Sequence, residues 1–313
     1  QMRNLKRALS LALAAIMLVG MMVVSASAAS YNNLTDKDEI VNKDAVSMLV
    51  SLGIIEGKPD GSYAPTENVD RAQMAKMLSV IMNKGVDNSA LYQSVNSGLT
   101  DITSNWAKGH INYCYTTGII AGRGNGTFDP SATVTALEAA KMLLVAVGYD
   151  PKIEGFEGAD WAINVSVRAD EQGIFEGFTK DLSAPLNRDD AALLIYNALD
   201  VEMIQSYTTN NYPIAYSDHR TILADKYGVI KVQGVVVANE WASLASDDGD
   251  AALKEGKTTI YNGEGIFSTT GNTTVSKEDA SLKTQTFNVS TPVDMLGKTV
   301  NLYIKKTTIL ADS

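Results

Sequence analysis

The stretch Gly118-Ile119-Ile120-Ala121-Gly122, followed by Phe128-Asp129-Pro130 and Thr135-Ala136-Leu137-Glu138-Ala139, has two variants elsewhere in the chain. The earlier one reads Gly53-Ile54-Ile55-Glu56-Gly57, then Tyr63-Ala64-Pro65, then Asp70-Arg71-Ala72-Gln73-Met74. The later one reads Gly173-Ile174-Phe175-Glu176-Gly177, then Ser183-Ala184-Pro185, then Asn187-Arg188-Asp189-Asp190-Ala191. From the first glycine to Arg71, and likewise to Ala136, is 18 residues; to Arg188 it is 15, so the third loop is three residues shorter. Such recurrence predicts a repeat architecture, in which each unit buries its apolar face only against its neighbours.

Working outward, helical stretches precede the glycines, at about Lys37–Leu52, Asn105–Thr117 and Asp160–Gln172. Gly53, Gly118 and Gly173 then fall where a left-handed helix end is wanted. Asp70, Thr135 and Asn187 are good N-cap residues for a second helix. Gln73 and Glu138, three residues on, complete capping boxes, and Asp190 favours the helix N-terminus. Asp36 with Glu39 also reads as a capping box, and Asp36 and Asp101 as turn or cap residues. The second helices carry stripes at i, i+3, i+4 and i+7, predicted to be core: Met74, Met77, Leu78, Ile81; Ala139, Met142, Leu143, Ala146; Ala191, Leu194, Ile195, Ala198.

The pattern resembles the S-layer homology (SLH) domain. The middle copy carries the resemblance best, through Leu99-Thr100-Asp101, Trp106-Ala107, the Gly-Ile-Ile run and Phe128-Asp129-Pro130. The first copy keeps Leu34-Thr35-Asp36 but has Val41 where Trp106 stands, and the third has Trp161-Ala162 without the preceding Asp. The resemblance covers about residues 30–205. It implies three repeats forming a three-pronged pseudo-trimer, whose grooves bind secondary cell-wall polymers often carrying pyruvate ketals. The family's Thr-Arg-Ala-Glu signature matches Asp70-Arg71-Ala72-Gln73 and Asn187-Arg188-Asp189-Asp190, and matches Thr135-Ala136-Leu137-Glu138 without the Arg.

Arg71 and Arg188 fall at the first helical position, where the helix dipole disfavours a cation. With free backbone N–H groups beside it, such an Arg makes an anion site suited to a carboxylate; the alternative is a solvated or acid-paired Arg. Ala136 supplies no such fork, so one groove is expected to be weak. Arg123, in the Gly-rich loop Gly122–Gly126, either substitutes from another direction or is a turn-exposed Arg. Trp106 and Trp161 either anchor the first helices in the core, which would take most of their area, or present an edge to sugar. The candidate polymer-binding set is therefore Arg71, Arg188, Gln73, Glu138, Trp106, Trp161 and Arg123; no catalytic or metal-ligating set and no cofactor is expected.

Composition is consistent with that reading. The 313 residues are 45% apolar and 20% charged, with a formal charge of −10. The first 28 residues read as a secretory signal peptide: basic Arg3, Lys6 and Arg7, an apolar run from Ala8 to Val24, and Ala26-Ser27-Ala28. An uncleaved membrane anchor is the alternative. Taking those three basic residues from the 26 leaves 23 against 36 acidic, or −13. This balance argues against nucleic acid and against adhesion to anionic lipid, so an anionic ligand must be caught by a local pocket. Cys114 is the only cysteine. An intramolecular disulfide and a thiolate zinc site are thereby excluded. Cys114 is expected to be a buried apolar residue, because His110 and His219 lack triad context.

Past Gln205 the texture changes. Tyr207–Pro213 reads as a polar linker. Val229–Ala238, Thr258–Tyr261, Thr284–Val289 and Thr299–Ile304 read as strands of a partly open barrel or sandwich. Asp247, Asp248 and Asp250 fail the spacing of a calcium loop. The run to Ser313 suggests a piece of a longer protein.

The expected fold is thus an α+β multidomain chain, an α-helical three-repeat SLH pseudo-trimer followed by a small antiparallel β-domain. The boundaries are 1–28 (signal peptide), 30–86, 97–148 and 151–205 (repeats), and 213–313 (β-domain). The expected function is non-catalytic: non-covalent anchoring of an exported protein to the bacterial cell wall, through an acidic secondary polysaccharide attached to peptidoglycan. The alternatives are a wall-associated enzyme such as a glycan hydrolase, anchored by the same repeats, and a self-associating surface-array or adhesin subunit.

Overall fold

The computed structural model describes residues 30–244, 252–263, 269–270, 273–274 and 283–305. The signal-peptide reading of residues 1–28 and the acidic run Asp247–Asp250 lie outside the described residues. The chain divides into two compact units, one running to Ile222 and the other from Leu223. Helices and antiparallel sheets make it an α+β protein.

Among the described residues the first unit holds six α-helices: α1 Lys43–Ser51, α2 Arg71–Met82, α3 Lys108–Thr116, α4 Ala136–Val147, α5 Trp161–Glu171 and α6 Arg188–Ala198. They pair into three helix–loop–helix segments. Gly53, Gly118 and Gly173, at φ of 70°, 79° and 70°, end the first helix of each in the left-handed conformation. The second helices start where the caps predicted: Asp70 accepts from the Gln73 N–H, Thr135 from that of Glu138 and Asn187 from that of Asp190. Both expected capping boxes form. Of the predicted core stripes only Met77 stays partly exposed.

The expected long first helix of segment one is shorter. Lys37–Glu39 is a 3-10 turn, and α1 begins at Lys43. The Asp36–Glu39 capping box is absent because the Asp36 carboxylate is used elsewhere: it accepts the N–H groups of Tyr63 and Ala64, each at 2.7 Å. Asp101 does the same for Phe128 and Asp129, at 2.9 and 2.7 Å. Ala64 and Asp129 have φ of 55° and 61°, and the two-pronged carboxylate holds these strained residues in place.

Each second helix packs on the first helix of another segment: α2 on α3, α4 on α5, and α6 on α1. At the centre, three backbone hydrogen bonds close a ring. The Val69 N–H donates to the Leu186 carbonyl at 2.8 Å, Leu186 to Val134 at 2.7 Å, and Val134 to Val69 at 2.9 Å. All three residues are buried.

The expected linker Tyr207–Pro213 spans the turn of a hairpin of this same unit. β1 Ile204–Tyr207 pairs antiparallel with β2 Pro213–Ala215. A Cβ at Gly148 would stand 2.5 Å from the Ile204 carbonyl, so only glycine admits this strand. The Tyr207 hydroxyl accepts the Asp150 N–H and donates to Glu154, each at 2.9 Å. The division between compact units therefore falls after Ile222, not at the expected residue 213.

A short helix, α7 Ile222–Tyr227, begins at the division and leads into β3 Val229–Asn239 of the second unit. With β4 Thr258–Tyr261, β5 Thr284–Phe287 and β6 Thr299–Lys305 it forms one antiparallel sheet, ordered β5-β4-β3-β6. The four strand positions follow the alternation in the sequence. Among the described residues they make a single sheet rather than a barrel or sandwich. Val236, Ile260, Phe287 and Leu302 form its core.

Candidate ligand-binding site

The start of each second helix is built into a neighbouring loop. In α2 the N–H groups of Arg71 and Ala72 donate to the carbonyls of Ala132 and Pro130, at 3.0 and 2.9 Å. In α6 those of Arg188 and Asp189 donate to Glu67 and Pro65, at 2.9 and 3.1 Å. The free N–H groups expected to assist anion binding are thus already satisfied. The ring of inter-segment bonds brings loop carbonyls to the place a ligand would need.

The Arg side chains go to the same loops. Arg71 donates through Nε to the Phe128 carbonyl at 2.8 Å and through Nη2 to that of Ala121 at 2.9 Å. Its guanidinium lies 4.4 Å from the Phe128 ring centroid. Arg188 repeats the arrangement on segment one, with Tyr63 at 2.7 Å, Glu56 at 3.1 Å and the Tyr63 ring at 4.8 Å. Arg71 is only 4% exposed, and Arg188 is more open. Burial pulls the Arg71 pKa down to about 10, helped by nearby Arg123 and opposed by Glu138, Asp129 and Asp101.

Gln73 and Glu138 serve first as caps, accepting the backbone N–H of Asp70 at 3.0 Å and of Thr135 at 3.1 Å. Glu138 also meets Arg123 at 3.1 Å and approaches Arg71 at 4.0 Å. Arg123 reaches Asp129 as well, at 3.7 Å, so it is an acid-paired loop residue within the same charge cluster. Trp106 departs from the expected core position: it is 57% exposed, because it precedes α3 in a turn and touches His110 only edge-on. Trp161 is partly buried, with the Lys141 ammonium 5.7 Å from its ring centroid.

A cleft of about 490 Å³ opens beside this cluster. Its lining includes Tyr115, Ala121, Gly122 and Gly124 from segment two, Lys141 from α4, and Glu157 from the chain leading to α5. Lys141 was not among the sequence candidates. Burial lowers its pKa, Glu157 opposes that shift, and Arg71 adds to it. The available signal was alignment: Lys141 stands six residues past Thr135, as Lys76 stands six past Asp70.

Two buried groups lie apart from the cleft. Cys114 is buried with its Sγ 3.4 Å from the Ala75 carbonyl, and burial pushes its thiol pKa up, so it is inert packing. His110 contacts Ser79 at 2.6 Å and Asp87 at 3.6 Å. The Ser79 hydroxyl sits mid-helix and only 4% exposed, closed to a substrate.

Comparison with known proteins agrees with the geometry. The family model for the S-layer homology domain matches residues 33–75 and 98–140, so this domain is present in two copies. The chain is 27% identical over 270 residues to a cell surface protein of Thermoanaerobacter kivui, covering 86% of this chain and 32% of the relative. It is 27% identical over 241 residues to the middle cell wall protein of Brevibacillus brevis, covering 77% and 22%. It is 33% identical over 113 residues to an S-layer protein of Bacillus licheniformis, covering 36% and 12%. The chain thus spans about a third or less of the length of these relatives. The repeats and these relatives support a location at the cell surface or cell wall.

Proposed function

We propose that the first unit anchors an exported protein non-covalently to the cell wall, by binding an acidic secondary polysaccharide attached to peptidoglycan. The third helix–loop–helix segment is read as a third S-layer homology repeat, and the three together as a pseudo-trimer. What supports this is the equivalence of Arg71 and Arg188, each donating to two carbonyls of another segment's loop. The closed ring through Val69, Val134 and Leu186 supports it too. The single observation that carries the anchoring reading is the pair of S-layer homology matches, with a cleft opening in the second. The role is one of attachment and not of catalysis.

The test is pelleting of the purified chain with cell-wall sacculi bearing an acidic secondary polymer, and with the same sacculi stripped of it. Pelleting only with the polymer-bearing sacculi is the expected result. Equal pelleting with both, or with neither, overturns the reading.

A further inference from the structure

The loops that follow the three Gly-Ile runs share one turn, and segment two builds it from a different residue. In segment one the Asp60 carboxylate accepts the Ser62 N–H at 2.9 Å and the Ser62 hydroxyl at 2.7 Å. In segment three Asp181 accepts the same two groups of Ser183, at 2.9 and 2.8 Å. In segment two the acceptor is the Asn125 side-chain oxygen, which takes the Thr127 N–H at 3.1 Å and the Thr127 hydroxyl at 2.6 Å. The residue after Asn125 is Gly126.

We propose that Asn125-Gly126 is a self-modifying site, at which the Asn125 amide is converted, with Thr127 assisting, to the carboxylate that segments one and three already carry. The Gly126 backbone nitrogen attacks Asn125 Cγ. The N–Cγ bond forms, the Cγ–Nδ2 bond breaks, and Nδ2 leaves as ammonia with the proton that Gly126 gives up. Water then opens the cyclic imide: hydroxyl adds to Cγ and hydrogen returns to the Gly126 nitrogen, giving aspartate. Opening at the main-chain carbonyl gives isoaspartate. Both residues are exposed to water. Among the described residues the Gly126 N–H donates to no carbonyl, so the nucleophile is uncommitted. A Cβ at Gly126 would meet nothing within 4 Å, so the path to Cγ is open. The two Thr127 donors point at Oδ1, the atom on which negative charge develops during the attack. The product fits the loop, because Asp60 and Asp181 make the same bonds. There the backbone bond, and then the hydroxyl bond, hold the carboxyl below its ordinary range, so a carboxylate at position 125 would be charged at neutral pH. Gly124 and Gly126 line the cleft, which places the new charge on its rim. In the chain's second Asn-Gly pair, Asn262-Gly263, the amide nitrogen donates to the Gln233 carbonyl at 2.9 Å, an anchor that opposes its departure.

The test is incubation of the purified chain at mildly alkaline pH, followed over time by tryptic digestion and mass spectrometry. The peptide 124–141 is expected to gain the mass that separates an acid from an amide. Its conversion should run about tenfold faster than that of the peptide holding Asn262, the rate difference that one hydrogen bond to a developing charge supplies. Thr127→Val keeps the backbone bond and removes the hydroxyl, and is expected to slow the conversion by about tenfold. Asn125→Asp, the product, should melt at the temperature of the unsubstituted chain. No conversion at Asn125, or conversion no faster than at Asn262, overturns the site. An unchanged rate in Thr127→Val overturns the assistance by Thr127, and a lowered melting temperature in Asn125→Asp overturns the fit of the product.

Discussion

Arg71 and Arg188 begin equivalent helices and make equivalent bonds, yet they sit in different surroundings. Arg71 is sealed between α2 and the loop of segment two, with Glu138 and Arg123 beside it. Arg188 grips the loop of segment one at a more open place, where its bond to the Glu56 carbonyl is exposed. In both, the signature Arg is a staple between segments before it is anything else. The difference teaches how much of that stapling water can replace. Carbonyls released at the Arg188 site can rehydrate, whereas those at the Arg71 site lose their partner in a buried position.

The comparison breaks most readily at Arg71. Arg71→Ala should cost about 3 kcal/mol of stability, since two carbonyls lose their donors and a cavity opens over the Phe128 ring. Urea denaturation followed by circular dichroism checks this. Arg188→Ala should cost about 1–2 kcal/mol in the same measurement. Equal losses at the two sites would show that burial is not what separates them. At Ala136, where segment two has no Arg, the helix start is held by its cap and by the Leu137 N–H, which donates to the Leu182 carbonyl at 3.1 Å. Thr135→Ala should therefore cost about 1 kcal/mol through loss of the capping box. The smallest effect tests the α2–α3 packing on which Arg71's helix rests. Burial lowers the His110 pKa and Lys76 lowers it further, while Asp87 opposes both; Ser79 and Trp106 complete its surroundings. With the folded pKa depressed, the unfolded chain binds the proton more readily. Stability from neutral His110 is thus present above about pH 6.5, the ordinary value, and declines as pH falls below it. Thermal melts from pH 8 to 5 should show this decline, and His110→Gln should flatten it.

Local structure was largely legible in advance. The caps Asp70, Thr135 and Asn187, the left-handed glycines and the apolar stripes obey short-range rules, and all stand where those rules put them. The four strands of the second unit's larger sheet stand at the stretches read as strands. What was not legible depends on partners distant in the chain. Asp36 and Glu39 have the spacing of a capping box, but the loop N–H groups of Tyr63 and Ala64 compete successfully for the Asp36 carboxylate. Residues 204–215 are polar and short of periodic signal, and they form a hairpin because Gly148 leaves room for the Ile204 carbonyl.

By itself the sequence determined the helix–loop–helix segments, their caps and the resemblance that points to the cell wall, because these depend on residues within a few positions of one another. Only the tertiary structure decided which cations are spent and which are available. Arg71 and Arg188 are used up by carbonyls 50 to 132 residues away along the chain. Lys141 faces Glu157 instead, because the aligned position holds Ala121 where segment one has Glu56. Burial and pairing are properties of the folded neighbourhood, and no local pattern encodes them.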